Sequence, residues 1–179
     1  MSQQLKHISK FISLVLRHNP AEIDLQLDEH GWAGVQELIE KMNKKGIRIS
    51  KEVLDTVVET NDKKRFAFNH DKTMIRASQG HSIEVELNLP ETVPPDILYH
   101  GTTDRFLPGI ISNGLQKQKR QHVHLSATIE TAISVGSRHG KPVILTVNAK
   151  AMHEAGFKFY LSDNKVWLAD EVPSIFITQ

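Results

Sequence analysis

The sequence predicts an α+β protein with a helix-rich N-terminal lobe and a strand-rich C-terminal lobe. Two observations lead to this prediction. Apolar residues recur mostly at helical spacing early in the chain, whereas after residue 96 they fall in short runs and alternating patterns typical of strands. Between these regions lies a proline-rich stretch that can continue neither a helix nor a central strand. We therefore predict an N-terminal lobe at 1–89, a linker at 90–95 and a C-terminal lobe at 96–179.

The composition narrows the kinds of site that the protein can hold. The 179 residues include 22 Lys and Arg against 21 Asp and Glu, so any polyanion site must be a local cluster of cations. There is no cysteine, which excludes disulfides, thiolate zinc sites and a cysteine nucleophile. Neither a signal-peptide pattern nor a stretch of about 20 apolar residues occurs. We expect a cytoplasmic protein without membrane contact and, because no long coiled-coil heptad is present, a monomer.

The first helix is predicted from Gln4 to Arg17. Its apolar positions have helical spacing and are Leu5, Ile8, Ile12, Val15 and Leu16. The pair Asn19-Pro20 ends the helix and leaves Arg17 and His18 at its C-terminal end. These two side chains either compensate the partial negative charge of the last turn or, held at an exposed corner, bind a phosphate.

Two more helices and a hairpin complete the N-terminal lobe. One helix precedes Gly46, Ser50 caps the next, and Phe66 and Phe68 begin a hairpin that turns at 69–72. Three helices followed by a hairpin is the order of a winged helix, a fold that commonly binds nucleic acid. A local basic surface accompanies it, made of Lys44, Lys45, Arg48, Lys51, Lys63, Lys64 and Arg65. These cations either contact RNA or DNA or are simply solvated.

The stretch from Ile75 to Ser82 marks the change from helical to strand character. Arg76 offers five donors in a fixed fork that suits phosphate, and the small polar residues after it leave room for a ligand. These residues, the substrate-binding candidates, are Ser78, Gln79 and Gly80. The alternative is a surface arginine before a turn. From Ile83 to Asn88, apolar and polar residues alternate, which predicts a half-buried strand.

The C-terminal lobe is predicted to be a compact mixed sheet with short helices. Leu98-Tyr99 leads into His100-Gly101-Thr102, a short helix spans Phe106 to Ser112, and Thr128 caps a further helix. Strands are predicted at Val123 to Leu125, Val143 to Val147, Phe159 to Leu161, Val166 to Leu168 and Ile175 to Ile177.

Three familiar motifs are absent or incomplete. The run Gly136 to Lys141 is one residue short of a phosphate loop, and Pro142 stands where Ser or Thr should bind magnesium. His122 and His124 could share one face of a strand, but no third ligand is evident, so we expect no metal. No Gly-x-Gly-x-x-Gly follows a strand. The remaining polar groups suit a dianionic phosphate. They are the cations Arg17, His18, Arg76 and Arg138 with the neutral partners His100, Gly101, Thr102, His124 and Ser126.

At these residues the chain closely resembles the RNA 2′-phosphotransferase family (KptA type), over nearly its whole length. The matching segments are 16–18 (LRH), 27–32 (LDEHGW), 75–82 (IRASQGHS), 98–102 (LYHGT), 123–126 (VHLS) and 138–140 (RHG). The resemblance implies an N-terminal winged-helix lobe, a C-terminal ADP-ribosyltransferase-like lobe that binds NAD, and an active site between them. Ser78 stands where the family often has asparagine, which leaves one local contact open.

The resemblance also implies a two-step reaction without a metal. An internal 2′-phosphate of RNA attacks the NAD ribose carbon that bears nicotinamide, which gives a 2′-phospho-ADP-ribosylated RNA. The neighbouring ribose 2″-hydroxyl then attacks the phosphorus and releases 2′-OH RNA and ADP-ribose 1″,2″-cyclic phosphate.

The family's site residues match positions of this chain one by one. Arg17, Arg76 and Arg138 would hold the phosphate and stabilise its transition state, and His18 would act as acid or base in the second step. The residues implied in NAD binding are His100, Gly101, Thr102, His124 and Ser126. Ser78, Gln79 and Gly80 could contact either substrate.

Two other functions stay open. An ADP-ribosyltransferase would modify a terminal nucleic-acid phosphate or a protein and would not complete the cyclisation. An NAD-sensing winged-helix module would bind RNA without turnover. The family is tied to tRNA splicing in eukaryotes, but the sequence does not choose between a tRNA-like and another RNA.

Overall fold

The computed structural model describes residues 2–179, which form a mixed α+β fold as the sequence predicts. The chain divides into two compact units, one ending at Asn88 and the other comprising Leu89–Gln179. Each unit has its own hydrophobic core. Among residues 2–179, none of the helices has the length and apolar character that a bilayer crossing requires.

The first unit, as described from residue 2, combines three α-helices with one small sheet. Its elements are α1 (Gln3–Arg17), a 3-10 helix (Pro20–Ile23), β1 (Ala33–Gly34), α2 (Val35–Lys44), α3 (Lys51–Glu59), β2 (Phe66–Phe68) and β3 (Met74–Ala77). The strands form an antiparallel sheet in the order β1, β3, β2. Ser50 caps α3 as predicted, because its hydroxyl accepts a hydrogen bond from Val53 N. The winged-helix assignment stays a prediction.

The core of the first unit joins the apolar helix faces to the central strand. Ile12 and Leu16 of α1 and Leu38 and Met42 of α2 are fully buried, and each pair lies one helical turn apart on a single face. Ile75 of β3 is fully buried beside them. Because successive side chains of a strand point to opposite faces, the next residue, Arg76, lies on the face away from this core.

The second unit contains short strands in small antiparallel sheets, with three α-helices. Its elements are β4 (Ile97–Thr102), α4 (Leu107–Asn113), β5 (Leu115–Gln116), β6 (Val123–Leu125), α5 (Ile129–Gly136), β7 (Val143–Asn148), α6 (Ala149–Glu154), β8 (Phe159–Leu161), β9 (Trp167–Ala169), β10 (Glu171–Val172) and β11 (Ile177–Thr178). Thr128 caps α5 as predicted, because its hydroxyl accepts a hydrogen bond from Thr131 N.

Two three-stranded sheets of the second unit, ordered β11-β7-β4 and β6-β9-β8, are joined at one point. Tyr99 N donates to Ser126 O, and Ser126 N donates to Tyr99 O, each over 2.8 Å. This bridge places the end of β6 beside β4. The candidate residues around His100 and His124 are therefore neighbours, although they are far apart in the sequence.

Helix α5 packs against β4 through two glycines. A Cβ atom at Gly101 would overlap the carbonyl oxygen of Ala132 and lie 2.9 Å from the backbone nitrogen of Gly136. A Cβ atom at Gly136 would in turn lie 3.0 Å from the carbonyl oxygen of Thr102. The two backbones approach so closely that neither position has room for a side chain.

The structure corrects two predictions about secondary structure and contains one helix that the sequence did not predict. Residues 83–88 show the predicted alternation of burial, with Val85 and Leu87 buried, but they are not a strand. Ile175 lies in a 3-10 helix (Ser174–Phe176) that precedes the short strand β11. Helix α6 was not predicted. The predicted linker 90–95 is also bonded to the second unit, since Glu91 forms a bridge with Tyr160 and Thr92 N donates to Phe159 O over 2.8 Å.

We expect Gly101→Ala to lower the free energy of unfolding of the second unit by roughly 2–4 kcal/mol, because the new methyl group would force α5 away from β4. Urea unfolding monitored by circular dichroism would measure the change. Gly109→Ala is the matched control, since a Cβ atom at Gly109 in α4 meets nothing within 4 Å. It should be neutral or stabilise by up to about 1 kcal/mol. Equal effects of the two changes would show that the close approach of α5 to β4 does not exclude a methyl group at Gly101.

Candidate functional site

The end of α1 holds Arg17 and His18 against the loop that follows β3. Ser82 N donates a hydrogen bond to Arg17 O over 2.9 Å, and the Ser82 hydroxyl is hydrogen-bonded to His18 Nδ1, also over 2.9 Å. Arg17 is half-buried and its Nη2 donates to the carbonyl oxygen of Arg65 over 3.4 Å. The His18 side chain is exposed. An imidazole that is fixed at one nitrogen and open to solvent can exchange a proton with a ligand.

Gly80 lies directly against the Arg17 guanidinium. It has a φ of +88°, and a Cβ atom there would lie 3.6 Å from Arg17 Nη1. A glycine is favoured at this position because it allows the left-handed backbone conformation and leaves the space beside the guanidinium open. Gly80 therefore lies beside Arg17. This position is compatible with the prediction that the small residues after Arg76 leave room for a ligand.

Arg76 lies in β3 with its side chain on the face away from the core. Its backbone pairs with Ala67 of β2. The guanidinium carbon lies 4.6 Å from the centre of the Trp32 ring, a distance typical of a cation–π contact. Arg76 is half-buried in this position.

His81 is the common neighbour of these groups. It is only 1% exposed, and neither ring nitrogen has a hydrogen-bond partner among the described residues. Burial, followed by the charges of Arg17, His18 and Arg76, lowers the pKa of His81 to about 4 from an ordinary value of 6.5. The ring is therefore neutral near pH 7. The same three cations act on this one buried ring, and the contacts of Arg17 with Gly80 and of His18 with Ser82 place two of them beside the loop that carries it.

Ser78 and Gln79 occupy different environments. Ser78 is 3% exposed, and its hydroxyl donates to the carbonyl oxygen of Lys64 over 3.0 Å while its N–H donates to that of Arg65 over 2.9 Å. Through these two bonds Ser78 connects the loop after β3 to the segment before β2. Gln79 is half-buried beside Gly80.

In the second unit, His100 has a defined tautomer. His100 Nδ1 lies 3.0 Å from the carbonyl oxygen of His124, and because a carbonyl can only accept, Nδ1 carries the proton. Burial lowers the pKa of His100, the bond to His124 raises it and the charge of Arg120 lowers it further, with a net downward shift. The neutral ring therefore has its lone pair on Nε2, where it can accept a hydrogen bond from a hydroxyl group.

Arg120 lies beside His124. Arg120 Nη1 donates to His124 Nδ1 over 3.0 Å. Although the Arg120 side chain is exposed as a whole, desolvation of its guanidinium and the charge of Arg138 lower its pKa. Arg138 lies in the 3-10 helix Ser137–His139 that follows α5 and is exposed. Arg120, His124 and His100 thus form one hydrogen-bonded polar group, and the charge of Arg138 acts on Arg120.

Three other predicted NAD-binding residues flank this group. Ser126 bonds to Tyr99 through its backbone and is half-buried. Thr102 is 7% exposed at the end of β4. Helix α5 packs so closely against Gly101 that this position cannot carry a side chain. Any contact of Gly101 with a dinucleotide must therefore use its backbone.

The structure groups the predicted residues into two sets. Arg17, His18, Arg76 and Gly80 belong to the first unit, and His100, His124 and Arg138 belong to the second. Sequence reasoning assigned no role to Trp32, His81 or Arg120. For Arg120 the sequence signal was weak, because residues 118–122 form a turn and bends before β6 and belong to no periodic pattern.

The predicted basic surface is partly engaged in bonds within the protein. Lys45 pairs with Glu22 over 2.8 Å, Lys51 pairs with Asp55, and Lys64 Nζ donates to the carbonyl oxygen of Glu59 over 3.0 Å. Contact of this surface with RNA stays a prediction. Among the described residues, no three His, Asp or Glu side chains come together as a metal would need.

The arrangement in the first unit suits an anion, because the charges of two guanidinium groups and an imidazole act on a ring that is itself uncharged.

Comparison with known proteins agrees with this chemistry. The model of the RNA 2′-phosphotransferase, Tpt1 / KptA family matches residues 3–171. The chain therefore belongs to this family, as its sequence resemblance predicts.

Several curated relatives have the name "Probable RNA 2′-phosphotransferase". One from Flavobacterium johnsoniae is 65% identical over 172 residues, which are 96% of this chain and 94% of the relative. One from Fusobacterium nucleatum subsp. nucleatum is 57% identical over 171 residues, 95% of this chain and 96% of the relative. One from Acaryochloris marina is 51% identical over 179 residues, 100% of this chain and 99% of the relative. These names indicate a transferase.

We expect the buried His81 to destabilise the protein in acid. The pKa of His81 is about 4 in the folded state, below its ordinary 6.5, so the unfolded chain binds the proton first as the pH falls. The contribution of the neutral His81 ring to the free energy of unfolding is fully present above pH 6.5 and is lost between about pH 6.5 and pH 4. It amounts to roughly 3 kcal/mol. Urea unfolding at several pH values would measure it.

His81→Leu should remove this part of the pH dependence, because leucine has no proton to bind. A direct measurement is the NMR titration of the His81 Cε1–H signal, assigned by its disappearance in the variant. A midpoint near the ordinary value of 6.5 would contradict the prediction, whether or not the variant folds well.

Proposed function

We propose that this protein is an NAD-dependent RNA 2′-phosphotransferase that removes an internal 2′-phosphate from RNA by transferring it to NAD. The observation that supports this most is the contact of Arg17 and His18, at the end of α1, with Gly80 and Ser82 of the loop that follows Arg76, in a chain of the RNA 2′-phosphotransferase family. Arg17 and His18 come from the end of α1 and Arg76 from β3, so two separate segments of the first unit supply this cation cluster. A phosphate monoester dianion is the ligand whose charge and geometry it fits.

Arg17 and Arg76 are proposed to bind the RNA 2′-phosphate. Both guanidinium groups are half-buried, so their attraction for an anion is less screened by water than that of surface lysines. In the second step the phosphorus passes through a crowded transition state, and guanidinium groups stabilise the charge on its oxygens. Arg138 of the second unit is the third proposed guanidinium.

His18 is the proposed proton carrier of the second step. Its Nδ1 is bonded to Ser82, so Nε2 is the nitrogen that can take the proton of the attacking ribose hydroxyl or give one to the departing RNA oxygen. Because the ring is exposed, either proton transfer, from the ribose hydroxyl or to the RNA oxygen, can reach it. Gly80 leaves the approach to Arg17 open next to it.

The second unit offers groups that fit the ribose and phosphates of NAD. The lone pair on His100 Nε2 can accept from a ribose hydroxyl, and the Arg120 guanidinium beside His124 can bind the pyrophosphate. When bound, NAD supplies an electrophilic ribose carbon with nicotinamide as its leaving group. His100, Gly101, Thr102, His124 and Ser126 are proposed to hold and orient it, and Ser78, Gln79 and Gly80 to line the RNA side.

The proposed activity has a direct test. Incubation of the protein with NAD and an oligonucleotide carrying one internal 2′-phosphate should give 2′-OH RNA, nicotinamide and ADP-ribose 1″,2″-cyclic phosphate, identified by mass spectrometry. The same oligonucleotide without the 2′-phosphate is the control. Intact RNA and NAD after long incubation would remove the proposal. Stable attachment of ADP-ribose to a terminal phosphate or to protein would favour an ADP-ribosyltransferase. Binding of RNA and NAD without turnover would favour an NAD-sensing RNA-binding module.

We expect His18→Ala to slow the second step on the order of 10²-fold or more and the first step much less, so that ADP-ribosylated RNA accumulates. Single-turnover reactions with RNA labelled at its 5′ end would separate the two rates. His7→Ala, at an exposed position of the same helix, should behave like the unchanged protein. Equal loss in both steps would show that His18 positions the phosphate and transfers no proton.

A further inference from the structure

Trp32 lies opposite Arg76 in the sheet of the first unit. In the antiparallel register of β1 and β3, Ala33 faces Ile75 and Gly34 faces Met74. Continuing this register by one residue places Trp32 opposite Arg76, where cross-strand side chains interact most closely. The measured contact agrees, because the Arg76 guanidinium carbon lies 4.6 Å from the centre of the Trp32 ring.

The other neighbour of Arg76 is small. On β2 its partner is Ala67, whose methyl group cannot cover the plane of a guanidinium. Trp32 is therefore the cross-strand residue that can restrict how the Arg76 side chain turns. A long arginine side chain has many rotamers, and the free energy of ordering it must be supplied by a contact or by the ligand.

Trp32 is itself held by a tight turn. Asp28 N donates to Trp32 O over 2.9 Å, and the Asp28 carboxylate oxygen Oδ1 accepts from Trp32 N over 2.8 Å and from His30 N over 2.9 Å. Gly31 has a φ of +77° within this turn. The turn is attached to the later segment as well, since Glu86 N donates to Glu29 O over 2.7 Å. A backbone fixed at both ends gives the indole ring a defined position.

We propose that Trp32 is a positioning residue that holds the plane of the Arg76 guanidinium in the orientation that binds the RNA 2′-phosphate. This inference rests on the function proposed above. A guanidinium binds a phosphate through two parallel N–H bonds only when its plane faces the oxygens. Contact of the guanidinium with the indole face would restrict how that plane can turn and would leave the edge of the guanidinium directed toward an anion.

The test compares Trp32→Leu and Trp32→Phe with the unchanged protein in turnover of a 2′-phosphorylated oligonucleotide. We expect kcat to fall roughly two- to thirty-fold in the leucine variant, with partial recovery in the phenylalanine variant, because the size of a cation–π contact sets the loss. Phe106→Leu is the matched control. It removes the ring of the Arg105–Phe106 pair, which has the same 4.6 Å separation in the second unit, and should leave kcat unchanged.

The decisive comparison is between single and double variants. In an Arg76→Lys background, Trp32→Leu should cause little further loss, because the planar group that it orients is already gone. A full additional loss in the double variant would show that Trp32 acts on general stability, and would overturn the inference.

A second readout is independent of turnover. The Arg76 Nε–H signal in NMR, assigned by its loss in Arg76→Lys, should carry a ring-current shift that Trp32→Leu abolishes and Phe106→Leu leaves in place. Titration with inorganic phosphate should then move this signal less in Trp32→Leu than in the unchanged protein. If the shift and the phosphate response do not depend on Trp32, the inference fails even where turnover is normal. If they do depend on it in a protein without turnover, the positioning role stands and the proposed reaction fails.

Discussion

The hydrogen bonds between Ser82 and the end of α1 are the constraint on which the candidate site of the first unit depends. Arg17 and His18 come from the first helix, and Ser82 follows them by about 64 residues. By fixing both the Arg17 carbonyl and the His18 ring, Ser82 attaches the helix end to the loop after β3, the strand that carries Arg76. Gly80 and His81 then fall beside Arg17 without further adjustment. The end of α1 and the distant strand β3 are thus brought together by one short loop.

The fold was predictable wherever a local pattern has one physical cause. Helices α1, α2 and α3 were predicted from apolar residues spaced one helical turn apart. Ser50 and Thr128 were predicted as N-caps because short polar residues commonly precede such helices, and both side chains accept the capping hydrogen bond. The alternation at 83–88 was misleading, because alternate burial reports only an extended backbone, whereas a strand also needs a partner with free hydrogen-bonding groups. Helix α6 has six residues, too few for periodicity to reveal it.

The site was predictable in its cations but not in their environment. The Asn19-Pro20 stop placed Arg17 and His18 correctly at a helix end, since proline ends helices by steric exclusion. The contact between Trp32 and Arg76 depends on strand register, which a short strand such as β1 does not reveal in sequence. His81 sits in a run of polar residues that resembles an exposed turn, yet its ring is fully buried. Burial of this kind depends on tertiary packing alone.

The pairing of β4 with β7 has a consequence for how the chain folds. Ile97 pairs with Asn148 and Thr102 with Val143, so this ladder must close a long loop before any of its bonds can form. The first unit must also close long loops, since β1 pairs with β3 across residues 33–75 and Ser82 bonds to Arg17, but it leaves the ribosome first. Folding should therefore begin at the N-terminal end because of the order of synthesis. A nascent chain would have its cation cluster in place before the second unit acquires its sheets.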